Sequence, residues 1–214
     1  MKTNPFSDTF EFLVKGGWPT YLFWLLLLGS AAVAVYNLRH DFRRHMIKDV
    51  WIWVARVLLG SMWWQQTLWK LPPYYTDMPG VENSGLRHWM LEMVHSASFS
   101  LQSKFVEDLV LPNFNIFAPM VYGIELIIGV SLILGVLTRF GATLGALMAV
   151  NLWLGLYRSQ YEWPWTYFFL VLLQVTFAVL QVGRNLGVDE ILVRKLDSKS
   201  EPKGILAKVM ALLT

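Results

Sequence analysis

The chain has 214 residues, of which 55% are hydrophobic and only 15% are charged, whereas a soluble domain carries about 25% charged residues. This composition predicts an integral membrane protein. The formal net charge is +3 and the basic residues lie beside apolar segments, so we expect lipid contact and no nucleic-acid partner. Cysteine is absent and the four histidines lie outside the apolar segments, so we predict no disulfide, haem, iron–sulfur cluster or other metal site.

The chain begins with a polar tail over residues 1–17, followed by an apolar segment at 18–37 that is long enough to span a membrane. The end of this segment, Ala32-Val33-Ala34, resembles a signal-peptide cleavage site. Cleavage would send the basic residues that follow to the outside, against the positive-inside rule. We therefore predict an uncleaved, additional transmembrane helix.

Residues 38–190 are predicted to form the main bundle. After a basic loop at 38–50, the second apolar segment, 51–71, is interrupted by polar residues, so one of its faces should look into the protein. Residues 72–116 open with a Pro- and Gly-rich stretch and then show a helical spacing of apolar residues. This pattern predicts an extramembrane cap with one or two amphipathic helices over the mouth of the bundle.

Two apolar runs, 117–137 and 140–157, are separated only by Thr138 and Arg139 and predict an antiparallel transmembrane hairpin. Each run can cross a hydrocarbon core roughly 30 Å thick. Glu125 lies in the first run and Asn151 in the second, where lipid solvates neither side chain. A last spanning segment at 163–182 precedes a basic tail, 191–214, whose end has the spacing of an amphipathic helix.

The basic residues also predict an orientation. Lys and Arg are concentrated in 38–50 and in 183–214, which five spans place on the same side of the membrane. The positive-inside rule then predicts a multi-pass protein of the inner (plasma) membrane, with its N-terminus outside and its C-terminus in the cytoplasm.

Helix depth predicts where polar groups meet. Counted from the outer end of each predicted helix, Glu125 lies about 12 Å deep and the amides lie about 8–9 Å deep, with two cations just above them. Such a pocket suits a small anion or a quinone head group, with Glu125 as the catalytic proton acceptor or donor. The predicted pocket consists of Glu125, Gln65, Gln66, Asn151, Lys70 and Arg158.

Each of these groups also has a structural interpretation. Glu125 can serve as a neutral carboxyl group hydrogen-bonded to the amides, and the amides can serve as interhelical hydrogen-bond partners. Lys70 and Arg158 can extend to the membrane interface, as Arg56 can at the inner end of its helix. The aromatic residues of the second and last helices suit either an interface belt or stacking on a quinone ring.

Two stretches carry a resemblance to a known family. The run GSMWWQQTLWKLP, followed by YGIELIIGVSLILGVLTRFGATLGALMAVNLWL, resembles the DoxX/DoxD family of small four-helix membrane proteins. The shared features include Glu125 ahead of Gly129 and an amide, Asn151, in the next helix. The similarity covers roughly residues 50–190. It implies a DoxX-like four-helix bundle, to which this chain adds one N-terminal helix.

The resemblance also implies a function. DoxD-like members are the large membrane subunit of a thiosulfate:quinone oxidoreductase, paired with a smaller subunit. We therefore expect an enzyme subunit that passes electrons from thiosulfate, or a similar small sulfur compound, to quinone, with a second subunit or a homo-oligomer as its partner. One alternative is a non-enzymatic anchor or assembly partner for a periplasmic redox or respiratory protein, and another is a small-solute carrier.

Overall fold

The computed structural model describes residues 4–15, 17–41, 46–73, 75, 85–197 and 212–214, and these residues contain helices and no β-strand. A 3₁₀ turn, Leu68–Lys70, prolongs the third α-helix, and a π-helical segment, Phe105–Val110, prolongs the fifth. Part of the predicted basic loop, the opening of the predicted cap and most of the predicted tail helix lie outside the described residues. The α-helices are α1 (Pro5–Lys15), α2 (Trp18–His40), α3 (Ile47–Thr67), α4 (Gly85–Ser96), α5 (Ser100–Lys104), α6 (Phe114–Leu134), α7 (Thr138–Leu156), α8 (Pro164–Leu180) and α9 (Val188–Asp197).

Five helices, α2, α3, α6, α7 and α8, run between the two ends of the bundle. We name these the cap end, which carries α4 and α5, and the α9 end opposite it. α3 packs along α6, α7 packs along α8, and α6 and α7 form the predicted hairpin. α2 packs on the outside, mainly against α6. The predicted fold, an all-α membrane protein with a four-helix bundle and one additional N-terminal helix, is confirmed.

Three helices in the described part of the chain, α2, α6 and α7, are long and apolar enough to span a membrane. α8 is apolar but has 17 residues, and α3 has 21 residues but carries Arg56 in its middle. Because α3 and α8 pack along α6 and α7, they lie at the same level of the bundle as those spanning helices. Hydropathy alone therefore undercounts the helices that reach from one end of the bundle to the other.

Two glycines set the crossing of α3 and α6. A Cβ atom added to Gly60 would lie 2.8 Å from the amide nitrogen of Ile133 and 3.0 Å from the carbonyl oxygen of Gly129. A Cβ atom on Gly129 would lie 3.2 Å from the amide nitrogen of Trp64. Backbone therefore contacts backbone here, which is how small residues let membrane helices associate.

The substitution Gly60→Ala is expected to destabilise the protein, because the new methyl group must push α3 and α6 apart. Gly123→Ala on α6 is the matched control, since a Cβ atom there meets no atom within 4 Å and alanine favours a helix by about 1 kcal/mol over glycine. Thermal unfolding in detergent should show a lower melting temperature for Gly60→Ala and an equal or higher one for Gly123→Ala. Equal melting curves for both variants would mean that the crossing is not tightly packed.

Arg56 holds the α9 end of α6 and is not extended toward the membrane interface, the position that its place in the sequence also allowed. Its side chain is fully buried and donates hydrogen bonds to the carbonyl oxygens of Leu132 and Ile133. Those carbonyls belong to the last turn of α6, whose partial negative charge favours a cation. α6 ends directly after them, at Gly135, whose positive φ of 72° suits glycine.

Asp189 of α9 holds the start of α7 in a complementary way. Its carboxylate accepts hydrogen bonds from the backbone amides of Leu137 (2.7 Å) and Thr138 (2.9 Å) and from the Thr138 hydroxyl (2.7 Å). Burial raises the pKa of Asp189 above its usual value, while the Thr138 and Leu137 hydrogen bonds and the Arg56 charge oppose that rise. The link between α6 and α7 is thus fixed by a cation on one side and a carboxylate on the other.

At the α9 end of the bundle, hydrogen bonds also connect α2 to α9 and to the residue before it. Asn37 of α2 donates a hydrogen bond to the carbonyl oxygen of Gly187 (3.0 Å) and accepts one from Arg194 (2.5 Å). α9 runs across position 190, where we placed the boundary between the bundle and the basic tail. Residues up to Arg194 therefore contact the bundle.

Candidate functional site

A cavity of about 610 Å³ lies in the half of the bundle nearest the cap end. Its wall comes from α3, α6, α7 and α8, and from α4 and the π-helical segment of the cap. Most wall residues are aliphatic, aromatic or methionine side chains. Several of them also retain a large exposed fraction, among them Met62, Met120 and Leu147 of the bundle helices. The cavity is therefore apolar and continuous with the surface that faces lipid.

Lys70 and Glu125 form a buried ion pair in this wall. The Lys70 ammonium nitrogen lies 2.5 Å and 2.6 Å from the two carboxylate oxygens of Glu125. Lys70 is 4% exposed and Glu125 2%, so neither charge is solvated by water. The Lys70 nitrogen also lies 4.2 Å from the ring centroid of Trp69, which adds a cation–π contact.

The geometry of α3 and α6 explains why these two residues meet. Counted from the Gly60–Gly129 crossing, Lys70 lies about 9 Å nearer the cap end than Glu125. The long side chains extend toward each other and cover this difference. Lys70 lies inward, as predicted for the pocket and unlike the interface alternative, on the face that also presents Trp63 and Gln66 to the cavity.

Two of the predicted amides belong to the cavity wall. Gln66 lines the cavity and its side-chain oxygen accepts a hydrogen bond from the Trp69 indole (3.2 Å). Asn151 also lines it, and its side-chain oxygen accepts a hydrogen bond from Gln102 (2.9 Å). Neither amide bonds directly to Glu125, but Asn151 joins α7 to α5 and is thus an interhelical hydrogen-bond partner, as the structural interpretation held.

Gln65 and Arg158 were predicted to belong to the pocket, but both lie outside the cavity wall. Gln65 lies outside the wall because it precedes the cavity-facing Gln66 by one residue, which turns it about 100° around the helix. Arg158 is also exposed, and its side chain donates a hydrogen bond to the carbonyl oxygen of Ser98 (3.3 Å) in the cap. Its role is to hold the chain after α7 against the cap.

The start of α8 adds polar groups that sequence reasoning missed. Glu162, Thr166 and Tyr167 line the cavity, and the side chains of Tyr167 and Glu162 interact. The sequence carried only a weak signal, because Glu162 precedes the predicted span 163–182 and Thr166 and Tyr167 lie near the start of that span. Among the wall residues, Lys70 is the one cation, and it is already paired with Glu125.

A protein-family model matches a part of the chain that includes most of the helices in this wall. The model of the family described as DoxX matches residues 52–158, which run from α3 to just beyond α7 and include both members of the ion pair. The chain belongs to the DoxX family. DoxX proteins are membrane proteins, often linked to oxidoreductase-associated functions. The match ends before α8, although the resemblance seen in the sequence extended to about residue 190.

The helices α1, α2, α8 and α9 lie outside the residues that the DoxX model matches. Comparisons with curated proteins and with solved structures found no match. Within the described residues, no group of three or more His, Asp or Glu side chains is arranged to hold a metal ion. The site is therefore best characterised by its shape, its apolar wall and its buried ion pair.

Proposed function

We propose that this DoxX protein is the quinone-binding membrane subunit of an oxidoreductase that takes electrons from thiosulfate or a similar small sulfur compound. The observation that carries the proposal is the Lys70–Glu125 ion pair, which lies in the wall of an apolar cavity continuous with the lipid-facing surface. Ionisable groups at this depth are costly to keep and favour a functional role. The cavity volume falls in the range of about 300–1,000 Å³ that small-molecule sites occupy.

A quinone fits both features of this cavity. Its ring and isoprenoid tail are apolar and reach the protein through the bilayer, and its carbonyl oxygens accept hydrogen bonds. An ammonium group has three N–H donors, and among the described residues the two Glu125 oxygens account for two of them. The third is available to a quinone oxygen, and the aromatic rings of Trp69 and Trp89 in the same wall offer surfaces for stacking.

Charge argues against thiosulfate entering the same cavity. The Lys70 charge is neutralised by Glu125, Arg158 lies outside the wall, and Glu162 adds a second carboxylate. A dianion would therefore gain no unpaired cation to offset its desolvation. We infer that the sulfur compound is oxidised outside the cavity, on a partner subunit or a second copy, and that only electrons reach the quinone.

The reaction balances with two thiosulfate ions for each quinone. Each thiosulfate loses one electron, and the two sulfur atoms join in a new S–S bond to give tetrathionate. The quinone takes up the two electrons and two protons to give the quinol. In this scheme, the Lys70–Glu125 pair would donate one proton to a reduced carbonyl oxygen and regain it from water, and water would supply the second proton to the other oxygen.

The start of α2 and α9 lie at opposite ends of the bundle, as five spans require, and the positive-inside rule supplies the direction. The start of α2 lies at the cap end, near Leu71 and Tyr122, and α9 lies at the opposite end. We propose that the protein lies in the inner membrane with the cap end outside and α9 in the cytoplasm. The cavity and its partner for the sulfur compound would then both belong to the outer side.

Photoaffinity labelling tests the proposed binding site directly. In lipid nanodiscs, an azido-quinone should label peptides of α3, α6 and α7 around the cavity, and decylubiquinone should compete. Met148→Trp, which fills the cavity, should reduce competed labelling at least tenfold. Leu172→Trp should leave it unchanged, because Leu172 is 52% exposed on the outside of α8. Matching melting temperatures would show that both variants are folded.

Two results would contradict quinone binding. One is labelling confined to lipid-facing residues, and the other is labelling that Met148→Trp does not change. If quinone does not bind and a periplasmic protein is captured through the cap, the chain is an anchor, as the alternative hypothesis holds. Thiosulfate-dependent quinone reduction, measured with the partner present, tests the electron donor separately.

A further inference from the structure

The second helical segment of the cap, residues 100–110, lies beside α7 and does not cover the end of the bundle. The amide and hydroxyl groups of Ser98 both donate to the carbonyl oxygen of Leu154, at 2.8 Å and 3.0 Å. Gln102 donates to Asn151 at 2.9 Å. Asn151 lies five residues before the end of α7, which places Gln102 about 8 Å below that end. The segment thus reaches the depth of a spanning helix.

This segment has three faces. Val106 and Val110 are buried against the bundle. A charged face, Lys104, Glu107 and Asp108, is exposed. The third face is apolar and also exposed: its residues repeat every four positions, and they are Leu101 (79% exposed), Phe105 (44%) and Leu109 (46%).

The apolar face continues the surface that α6 and α7 present to lipid. Gln102, which bonds to α7, lies beside Leu101 and Phe105 around the helix. Leu147 of α7 is 64% exposed and belongs to one of the spanning helices. Exposed tryptophans at the start of α8, Trp163 and Trp165, mark a membrane interface at this end of the bundle.

We propose that residues 100–110 form an interfacial helix embedded in the leaflet at the cap end, with Leu101, Phe105 and Leu109 in contact with lipid acyl chains. The charged face turns away from the acyl chains toward head groups and water, as in amphipathic helices that lie in a membrane interface. This part of the predicted extramembrane cap is therefore a membrane element. The inference is independent of quinone binding.

One residue connects this helix to the cavity. Phe105 belongs to the lipid-contacting face and also to the cavity wall. Met120 of α6 and Leu147 of α7 share both properties. The interfacial helix therefore forms the rim of an opening between the acyl chains and the cavity, and a neutral ligand can enter from the bilayer without crossing water.

Site-directed spin labelling tests the position of this helix. The chain has no cysteine, so single-cysteine variants need no other change. Leu101→Cys and Leu109→Cys report on the apolar face, Lys104→Cys and Asp108→Cys on the charged face, and Leu147→Cys gives a lipid-facing reference. All five positions are exposed, so the labels should not disturb the core, and unchanged melting temperatures confirm this.

The measurement compares how often each spin label collides with oxygen, which concentrates in lipid, and with a nickel chelate, which stays in water. In phosphatidylcholine–phosphatidylglycerol nanodiscs, the ratio of oxygen collisions to nickel-chelate collisions should be at least fivefold higher for labels at 101 and 109 than for labels at 104 and 108. The ratio at 101 and 109 should resemble that of the label at 147. Preferential access of the nickel chelate to 101 and 109 would overturn the proposal in favour of an aqueous cap. Immobile labels reached by neither reagent would overturn it in favour of a covering protein.

Discussion

Replacing Glu125 by alanine is expected to lower the free energy of unfolding by about 3–5 kcal/mol, because it leaves the Lys70 charge buried without its partner. The ion pair is almost wholly excluded from solvent, so water cannot take over the role of the carboxylate. The loss should appear as a large drop in melting temperature in detergent. Glu107→Ala, which removes an exposed carboxylate from the cap, should change the melting temperature little.

The double variant Lys70→Met/Glu125→Met separates stability from ligand binding. Removing both charges together leaves no buried charge, so most of the lost stability should return. Quinone labelling should stay low in the double variant, because the Lys70 ammonium group that donates a hydrogen bond to the quinone oxygen is absent. If the double variant recovers both stability and labelling, the ion pair serves the fold alone. If Glu125→Ala melts like the unmodified protein, the pair is not buried as described.

Replacing Asp189 by alanine is expected to lower the free energy of unfolding by about 3 kcal/mol. The change removes three hydrogen bonds to Leu137 and Thr138 and leaves two backbone amides at the start of α7 without acceptors. It also takes away the carboxylate that faces Arg56. The cost of burying this carboxylate offsets part of the loss, which keeps the expected effect below the sum of three charged hydrogen bonds.

Asp108→Ala provides the control for this prediction, since Asp108 is an exposed carboxylate in the cap. Its melting temperature should stay close to that of the unmodified protein. Hydrogen exchange should rise in Asp189→Ala at the link between α6 and α7, and exchange in α4 should not change. Equal exchange at the link in both variants would contradict the role assigned to Asp189.

The helices and the key carboxylate could be predicted from the sequence, because each depends on a local pattern. Apolar runs of about 20 residues define spanning helices, and Glu125 stands out as a charge inside one of them. Its partner could not be found in the same way. Depth counting treats each helix separately, whereas the Lys70–Glu125 contact depends on where α3 crosses α6 and on the direction in which the lysine side chain extends.

Arg56 shows a second limit of local patterns. Its acceptors are backbone carbonyl oxygens of α6, and every residue carries such a group, so no side-chain pattern reveals them.

The cap shows a third limit of local patterns. Helical spacing predicted the faces of its helices, but spacing carries no information about depth, which follows here only from the hydrogen bonds that Ser98 and Gln102 donate to α7.

The fixed link between α6 and α7 has a mechanical consequence. Arg56 and Asp189 clamp the hairpin at the α9 end, whereas the cavity separates its helices near the cap end. In a hairpin held at its base, the displacement of one helix relative to the other grows with distance from the base. The half of the hairpin nearest the cap end is therefore the part that can move while the hydrogen bonds at its base stay intact.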